Sequence, residues 1–406
     1  MSLPRRLTPR RLTPRRLTIV LGLGQLLTWA LTYYIPATTT APVAATLGVS
    51  PAAVLAGFSV ALLATGIASP WTCRWIDRAG GRPVLLCGVG VQAAGLLVMA
   101  GAHGLVQWYA GWALTGAGMA CGLYDAAFAT AGRALGAEAR ATVTGITLLG
   151  GFASTLGWPL GAAVLPWLGW RGTLVLYAAL LVGVVGPLYL ALPATPPPLT
   201  PQPMAPRTAQ AKPATHRGPF LCMAAFFTIR GGIATVVSVS VPTLLQAAGL
   251  GAATAIALST LIGPAQVAMR LLQVVLGRRV GPLAITWIGA VVLPLATIPL
   301  VAAATYGTGL TLAATVFVVG YGLSNGILTI ARGTLPLALF GPEGYATRIG
   351  QLALPVLLAQ AAAPLLSGPA IASWPATWVF AALAALSALS ALALLPLPRT
   401  PTNTTP

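Results

Sequence analysis

The stretch PATPPPLTPQPMAPRTAQAKPATHRG, residues 193–218, interrupts a chain that is otherwise strongly apolar. It is rich in Pro, Ala and Thr and has no periodic apolar face, which is typical of a semi-extended linker. Long apolar runs resume on both sides of it. The stretch therefore predicts a linker that separates two halves of the chain.

Each half contains six apolar runs that are long enough to cross a membrane, because about 20 apolar residues span the hydrocarbon core. They lie at residues 18–41, 52–73, 83–102, 105–131, 141–166 and 170–192 before the linker, and at 219–246, 252–276, 282–304, 309–331, 346–369 and 374–396 after it. The predicted fold class is an all-α membrane protein with twelve transmembrane helices in two six-helix bundles.

The composition excludes whole classes of protein. Hydrophobic residues make up 57% of the 406 residues and charged residues only 6%, whereas a soluble domain carries about 25% charged residues. Such a chain cannot cover a water-facing surface of its own size. A soluble enzyme, a disordered protein and a repeat solenoid are therefore excluded.

The basic residues predict how the chain is oriented. An excess of 22 Lys and Arg over 4 Asp and Glu would indicate nucleic-acid binding in a soluble protein. Here the basic residues sit in short breaks between apolar runs, and with both termini inside, the proposed outside loops contain only Arg171. The positive-inside rule then predicts a cytoplasmic linker, two cytoplasmic termini and no nucleic-acid partner.

The same pattern sets the predicted domain boundaries. Residues 1–17 repeat the unit RRLTP, in which proline prevents a helix, and form a cytoplasmic basic arm able to contact anionic lipid. The other predicted parts are the N-terminal bundle at 18–192, the linker at 193–218, the C-terminal bundle at 219–396 and a cytoplasmic tail at 397–406.

The two halves repeat a short pattern. GLYD at residues 122–125 matches GLSN at 322–325, and each copy reaches an arginine, Arg133 or Arg332, as it leaves the membrane. Weak internal repeats are typical of secondary transporters, whose binding site lies between the repeats. Chance matching between helices rich in Gly and Ala is the alternative.

The loop between the second and third runs carries a motif, CRWIDRAGGR at residues 73–82. It resembles the G-x-x-x-D-R-x-G-R-[KR] loop of the major facilitator superfamily, in which the matching residues are Asp77, Arg78, Gly80 and Arg82. Cys73 and Gly81 depart from that pattern. The resemblance extends over essentially the whole chain and implies alternating access, with spans one, four, seven and ten lining a central cavity.

This loop is the predicted gate. Asp77 lies at a helix end, where a carboxylate can pair with a neighbouring helix end and hold one face closed. A simple cluster of charges at the membrane surface is the alternative.

Several longer strings are similar to a bacterial branch of the superfamily that includes arsenite-efflux permeases. They are TYYIPA (32–37), GLYDAAFAT (122–130), GGFASTLGWPL (150–160), GPAQVAMR (263–270) and NGILTIARGTLPLALFGPEGY (325–345). The resemblance implies a protein of the bacterial inner membrane that exports trivalent arsenicals. The Gly and Pro residues of the third string are similar to a motif of exporting members, although helix packing explains them equally well.

Two charged residues lie well inside predicted spans, where a charge costs about 2.5–3.5 kcal/mol on insertion scales. Asp125 is the only such acid, and Arg230 lies near the middle of the seventh span. We expect Asp125 to respond to protons, since the charge of a buried carboxylate depends on a neighbouring Arg. Movement of Arg230 would then bind or release a proton. A static Asp125–Arg pair is the alternative.

The other predicted pathway residues are polar side chains on cavity-lining spans, namely Thr28, Thr32, Tyr33, Tyr34 and Asn325. Asn325 suits a neutral polar solute or a helix–helix hydrogen bond. Cys121 shares a helix face with Asp125 and is a candidate ligand for a soft metalloid, although packing is the commoner role of a cysteine. Arg270 and Arg332 are expected to snorkel to the surface or to cap helix ends.

The predicted function is secondary active transport of a small solute by a monomer in a lipid bilayer, with the proton as coupling ion. No cluster of His, Asp and Glu able to support catalysis is present in the sequence, so we predict no enzyme activity, catalytic residue, cofactor or metal site. One alternative is transport of an organic anion or drug-like solute held by Arg230. Another is a membrane sensor that binds a ligand without moving it.

Overall fold

The computed structural model describes residues 13–193, 217–276 and 280–398. The predicted basic arm up to residue 12, most of the predicted linker and most of the predicted tail lie outside the described residues. The predicted domain boundaries therefore stay predictions.

All regular structure in the described ranges is helical. The helices of the first half are α1 (Pro14–Leu47), α2 (Pro51–Ala79), α3 (Gly81–Ala100), α4 (Leu105–Gly122 and Tyr124–Leu135), α5 (Ala139–Gly150 and 153–168) and α6 (170–190). Those of the second half are α7 (Arg217–Ala247), α8 (Ala252–Ser259 and Ile262–Leu276), α9 (Pro282–Tyr306), α10 (Leu310–Phe340), α11 (Tyr345–Ser373) and α12 (Ala376–Leu392).

Nine stretches of the described chain are long and apolar enough to cross a membrane, judged by length and composition. One of them, Leu105–Leu190, has 86 residues and would be about 130 Å long as a single helix, several times the thickness of the hydrocarbon core. Its helical path breaks at Gly136 and at Gly169, where φ is 57° and 61°. It therefore contains α4, α5 and α6. Together with the shorter apolar helix α12, the twelve predicted spans are accounted for.

Several helices are longer than the spans predicted from hydropathy. The prediction ended the tenth span at residue 331, whereas α10 continues to Phe340. Likewise, α2 continues past residue 73 to Ala79. Hydropathy marks the part of a helix that lies in hydrocarbon, and a helix can continue beyond it with charged residues. These extra turns carry Asp77 and Arg332.

Local sequence explains where α2 begins and ends. The side chain of Ser50 accepts a hydrogen bond from the backbone N–H of Ala53 at 3.2 Å, and Pro51 occupies the first turn. The helix ends at Gly80, whose φ of 82° favours glycine. Asp77 therefore lies in the last turn of α2.

Several helices are irregular along their length, among them α4, α5 and α1. The extended backbone of Leu123 interrupts α4, and a new helical segment starts at Tyr124. A turn at residues 151–152 interrupts α5, and α1 contains a π-helical turn at Trp29–Tyr33. Irregular backbone at membrane depth is tolerated where it faces protein or a cavity. Asp125 therefore lies in the first turn of a helical segment and not in the middle of one.

Each half has its own apolar core. One cluster of buried side chains runs through the first half and extends to Leu337 of α10 and to Tyr345, Ala346 and Ile349 of α11, and two further clusters lie in the second half. A small cluster of Leu62, Ala353, Leu357 and Ala361 joins α2 to α11. The halves meet through α2, α4 and α5 on one side and α8, α10 and α11 on the other.

Candidate functional site

An ion pair joins the two halves. Nη2 of Arg332, on α10, lies 2.8 Å from Oδ2 of Asp125, on α4. The side chains are only 20% and 13% exposed, and Arg332 Nε and Asp125 Oδ1 have no hydrogen-bond partner in the described part of the chain. The sequence predicted that Arg332 snorkels to the surface or caps a helix end. This prediction is wrong, because Arg332 pairs with a carboxylate of the other half.

Other buried groups surround this ion pair. Cys73 from α2 packs against Gly350 of α11, and both Cys73 and Tyr345 of α11 are fully buried. The hydroxyl of Tyr345 donates to the carbonyl oxygen of Gly333 at 2.6 Å, and its ring packs against Gly132 of α4. The pair is thus enclosed by residues of both halves.

Asp77 makes a second contact between the halves. Its Oδ2 accepts hydrogen bonds from the backbone N–H and the hydroxyl of Thr347, at 3.2 and 2.7 Å. Thr347 lies in the first turn of α11, so the carboxylate meets the positive end of that helix. Of the other residues of the predicted gate, Gly80 ends α2, Arg82 is half-buried and Arg78 is exposed.

A third contact lies at the same end of the bundle. Nη2 of Arg140, at the start of α5, donates to the carbonyl oxygen of Val280, just before α9, at 2.9 Å. We call the region that contains Asp77, Asp125, Arg140 and their partners the closed end.

Arg230 lies elsewhere, inside the second half. It is 6% exposed, and its Nη1 and Nη2 donate to the hydroxyls of Ser387 on α12 and Ser324 on α10. Ser324 in turn donates to the carbonyl oxygen of Gly289 on α9 at 2.6 Å. The interpretation in which movement of Arg230 changes the charge of Asp125 is therefore wrong for this conformation, because Arg332 is the partner of Asp125.

An aromatic cluster lies on α1, α2 and α4. Trp29 packs against Tyr33 at 4.5 Å and against Tyr124 at 4.9 Å between ring centroids, and Tyr33 packs against Phe58 at 4.9 Å. Tyr34 packs against Tyr33 at 5.5 Å. All five rings are half-buried. The predicted residues Tyr33 and Tyr34 thus form part of a partly open aromatic surface.

The two threonines of α1 that the sequence predicted in the pathway have buried side chains. Thr28 and Thr32 are 1% and 0% exposed, and the hydroxyl of Thr32 donates to the carbonyl oxygen of Thr28 at 2.6 Å. Asn325 is half-buried on α10. Of these three side chains, only that of Asn325 is open enough to meet a solute in this conformation.

The cysteines do not form a cluster that could hold a metal. Among the described residues, no group of three His, Cys, Asp or Glu side chains could do so. Cys121 is half-buried with its Sγ 3.4 Å from the hydroxyl of Thr72, and Cys73 is fully buried.

Comparison with known proteins identifies the family. The family model of the Major Facilitator Superfamily matches residues 20–350. The chain belongs to this superfamily. It is therefore a multi-pass membrane transporter, and the predicted fold class is confirmed.

Solved structures share this fold. The human organic anion transporter MFSD10 (TETRAN) is similar with a TM-score of 0.70 and 17% identity, over 95% of this chain and 100% of that one. The proton:xylose symporter XylE bound to 6-bromo-6-deoxy-D-glucose is similar with a TM-score of 0.72 and 15% identity, over 93% of this chain and 94% of that one. A comparison with curated proteins finds no match. The similarity to the two structures extends to the fold alone.

Proposed function

We propose that this chain exports a small solute in exchange for protons, by alternating access, across the inner membrane of a bacterium. The observation that carries the proposal is the Asp125–Arg332 ion pair. It joins the two halves, and Asp125 is the one acid that lies well inside a predicted span. Alternating access needs contacts that hold one face closed and that can break. Protonation of Asp125 removes one of the two charges on which this contact depends.

The orientation of the closed end follows from charge. With the exception of Arg171, the basic residues in the breaks between predicted spans belong to the breaks on this side and to the linker, and the positive-inside rule assigns both to the cytoplasm. In this proposal the structure is closed to the cytoplasm and open to the opposite side. A proton that enters from that side reaches Asp125 and weakens its contact with Arg332, which allows the cytoplasmic face to open.

The substrate has two candidates. Trivalent arsenicals are suggested by the resemblance to the bacterial branch, but such a metalloid favours several sulfur ligands, and among the described residues no three His, Cys, Asp or Glu side chains form a group that could hold a metal. An organic anion held by Arg230 is disfavoured too, because serine hydroxyls occupy both terminal nitrogens of that guanidinium. Retention of arsenic in metalloid-sensitive cells that express the chain tests the first candidate. Unchanged cell arsenic, with the protein present in the membrane, removes it.

The proton coupling is tested in proteoliposomes that contain the purified chain and an internal pH-sensitive dye. Arsenite and organic carboxylates are added in turn, and both the dye signal and the flux of labelled solute are measured. We expect Asp125→Asn to abolish proton movement while it keeps exchange of labelled solute across the membrane. Glu138→Gln is the matched control, since Glu138 is an exposed acid of the short turn before α5.

The outcomes separate the alternatives. Proton movement that persists in full in Asp125→Asn would show that Asp125 is a structural partner of Arg332 only. Binding of a solute with no flux in the wild-type chain would favour the membrane sensor over the transporter.

A further inference from the structure

Arg270 is a buried cation that the gate does not use. It lies on α8, is 6% exposed, and its Nε has no hydrogen-bond partner among the described residues. None of the four acidic side chains of the chain serves as its partner. Asp77 contacts Thr347, Asp125 pairs with Arg332, and Glu138 and Glu343 are exposed. The sequence-based prediction that Arg270 snorkels to the surface is wrong, because the side chain is buried.

The guanidinium of Arg270 reaches across the boundary between the halves. Its Nη1 lies against Gly151, at the break in α5. The guanidinium fits there because glycine has no side chain, and a Cβ atom at this position would overlap Nη1. Gly151 is twelve residues from the start of α5 at Ala139, which corresponds to about 18 Å along the helix and to the middle of a hydrocarbon core of about 30 Å. The charge therefore lies at mid-membrane depth between the halves.

The adjacent glycine places an aromatic ring beside this charge. The ring and hydroxyl of Tyr124 pack against Gly150, next to Gly151. Tyr124 also stacks on Phe128 at 5.4 Å and packs against Trp29. The partly open aromatic cluster described above thus begins directly beside Arg270.

A buried charge without a carboxylate partner is costly and marks a functional site by default. We propose, on the basis of the transport function proposed above, that Arg270 binds the carboxylate of an aromatic monoanion whose ring packs against Trp29 and Tyr124. A guanidinium forms two parallel hydrogen bonds with a carboxylate. An aromatic surface stabilises a flat apolar body through offset or edge contacts.

This assignment distinguishes the two buried arginines of the second half. Both terminal nitrogens of Arg230 donate to serines of its own half, so its role is structural. Arg270 faces the first half, and a bound anion would contact residues of both halves. The affinity of the protein for such a ligand would change as the halves move, and transport requires such a change in affinity for the solute.

The test measures binding of benzoate, benzamide and acetate to the purified full-length chain in detergent, by thermal shift and calorimetry. Benzoate should bind and raise the melting temperature. Benzamide lacks the charge and acetate lacks the ring, and both should bind about tenfold or more weakly, as expected for the loss of a hydrogen bond to a charged group or of an aromatic contact. Arg270→Gln should weaken benzoate binding about tenfold or more, and Arg270→Lys should restore part of it. The control is Arg217→Gln, which removes an exposed arginine at the start of α7.

Equal binding of benzoate and benzamide to the wild-type chain would overturn the proposal even if Arg270→Gln fails to fold. Unchanged benzoate affinity in a folded Arg270→Gln protein would overturn it as well. Binding requires no flux, so a chain that binds benzoate through Arg270 but shows no proton movement with any tested solute would support this site and contradict the proposed proton exchange. Proton-coupled flux of another solute, with no inhibition by benzoate, would support the proposed proton exchange and contradict this site.

Discussion

Asp125 and Arg332 lie on opposite halves of the chain and form an ion pair of 2.8 Å with little exposure to solvent. The members of the pair come from different copies of the internal repeat: Asp125 ends GLYD in the first copy, and Arg332 follows GLSN (322–325) in the second. The acid of the first copy thus pairs with the arginine of the second. The contact connects the repeats to each other at the closed end.

The first prediction concerns the stability of this pair. Removal of one partner from a buried ion pair leaves an uncompensated charge and costs about 3–5 kcal/mol, whereas removal of both costs less. We expect Arg332→Gln to lower the melting temperature of the purified protein more than the double variant Asp125→Asn/Arg332→Gln does. If the losses of the two single variants simply add in the double variant, the residues are not energetically coupled.

A second prediction concerns the contact between Asp77 and Thr347. Thr347→Val removes the hydroxyl donor with little change of shape, and a hydrogen bond to a charged group contributes about 1.5–3 kcal/mol. The closed end should therefore open more often in Thr347→Val. With Ala131→Cys as the only cysteine of the protein, a maleimide should label this residue about tenfold faster in Thr347→Val than in the protein with Thr347. Ala131 is fully buried at this end. Thr347→Ser keeps the hydroxyl and should label at the wild-type rate, and equal labelling of all three proteins would contradict the role of the contact.

A third prediction uses the glycine under Tyr345. A methyl group at Gly132 would overlap the buried ring of Tyr345, so Gly132→Ala should push α4 and α11 apart and lower both the melting temperature and the transport rate. Gly90→Ala is the control, because a methyl group there meets no atom within 4 Å, and Ala is favoured over Gly within a helix. Gly132→Ala with wild-type stability and rate would show that the close approach of these helices is not needed.

A fourth prediction tests the structural role assigned to Arg230. Ser387→Ala leaves one terminal nitrogen of this buried guanidinium without its acceptor and should cost about 1.5–3 kcal/mol of stability. The KM for any transported solute should stay unchanged. Ser373→Ala, which alters an exposed serine of α11, should change neither quantity. A large rise in KM in a stable Ser387→Ala protein would place Arg230 in the binding site.

The sequence predicted the architecture well because hydrophobic runs and basic breaks follow directly from the membrane. It could not predict the partner of Asp125. The distance between Asp125 and Arg332 depends on how two bundles pack, and hydropathy carries no information about that packing. The repeat was the available signal, since it placed an acid in the first copy and an arginine just after the second copy.

The two buried arginines show the same limit. The sequence placed Arg230 correctly within the seventh span but could not show that it turns towards Ser324 and Ser387. Arg270 was assigned to the membrane surface because it lies near a span end. The break at Gly151 on another helix is what allows it to stay buried at mid-depth.

The break in α4 at Leu123 has a consequence for the energetics of opening. Asp125 is the second residue of the segment that starts at Tyr124, so its carboxylate lies at a helix N-terminus, where the macrodipole is equivalent to about half an elementary positive charge. Arg332 departs with the other half when the faces separate, whereas the N-terminal amides belong to the same segment as Asp125 and travel with it. An ionised Asp125 therefore keeps a favourable electrostatic partner in both conformations, which lowers the penalty for separating the halves.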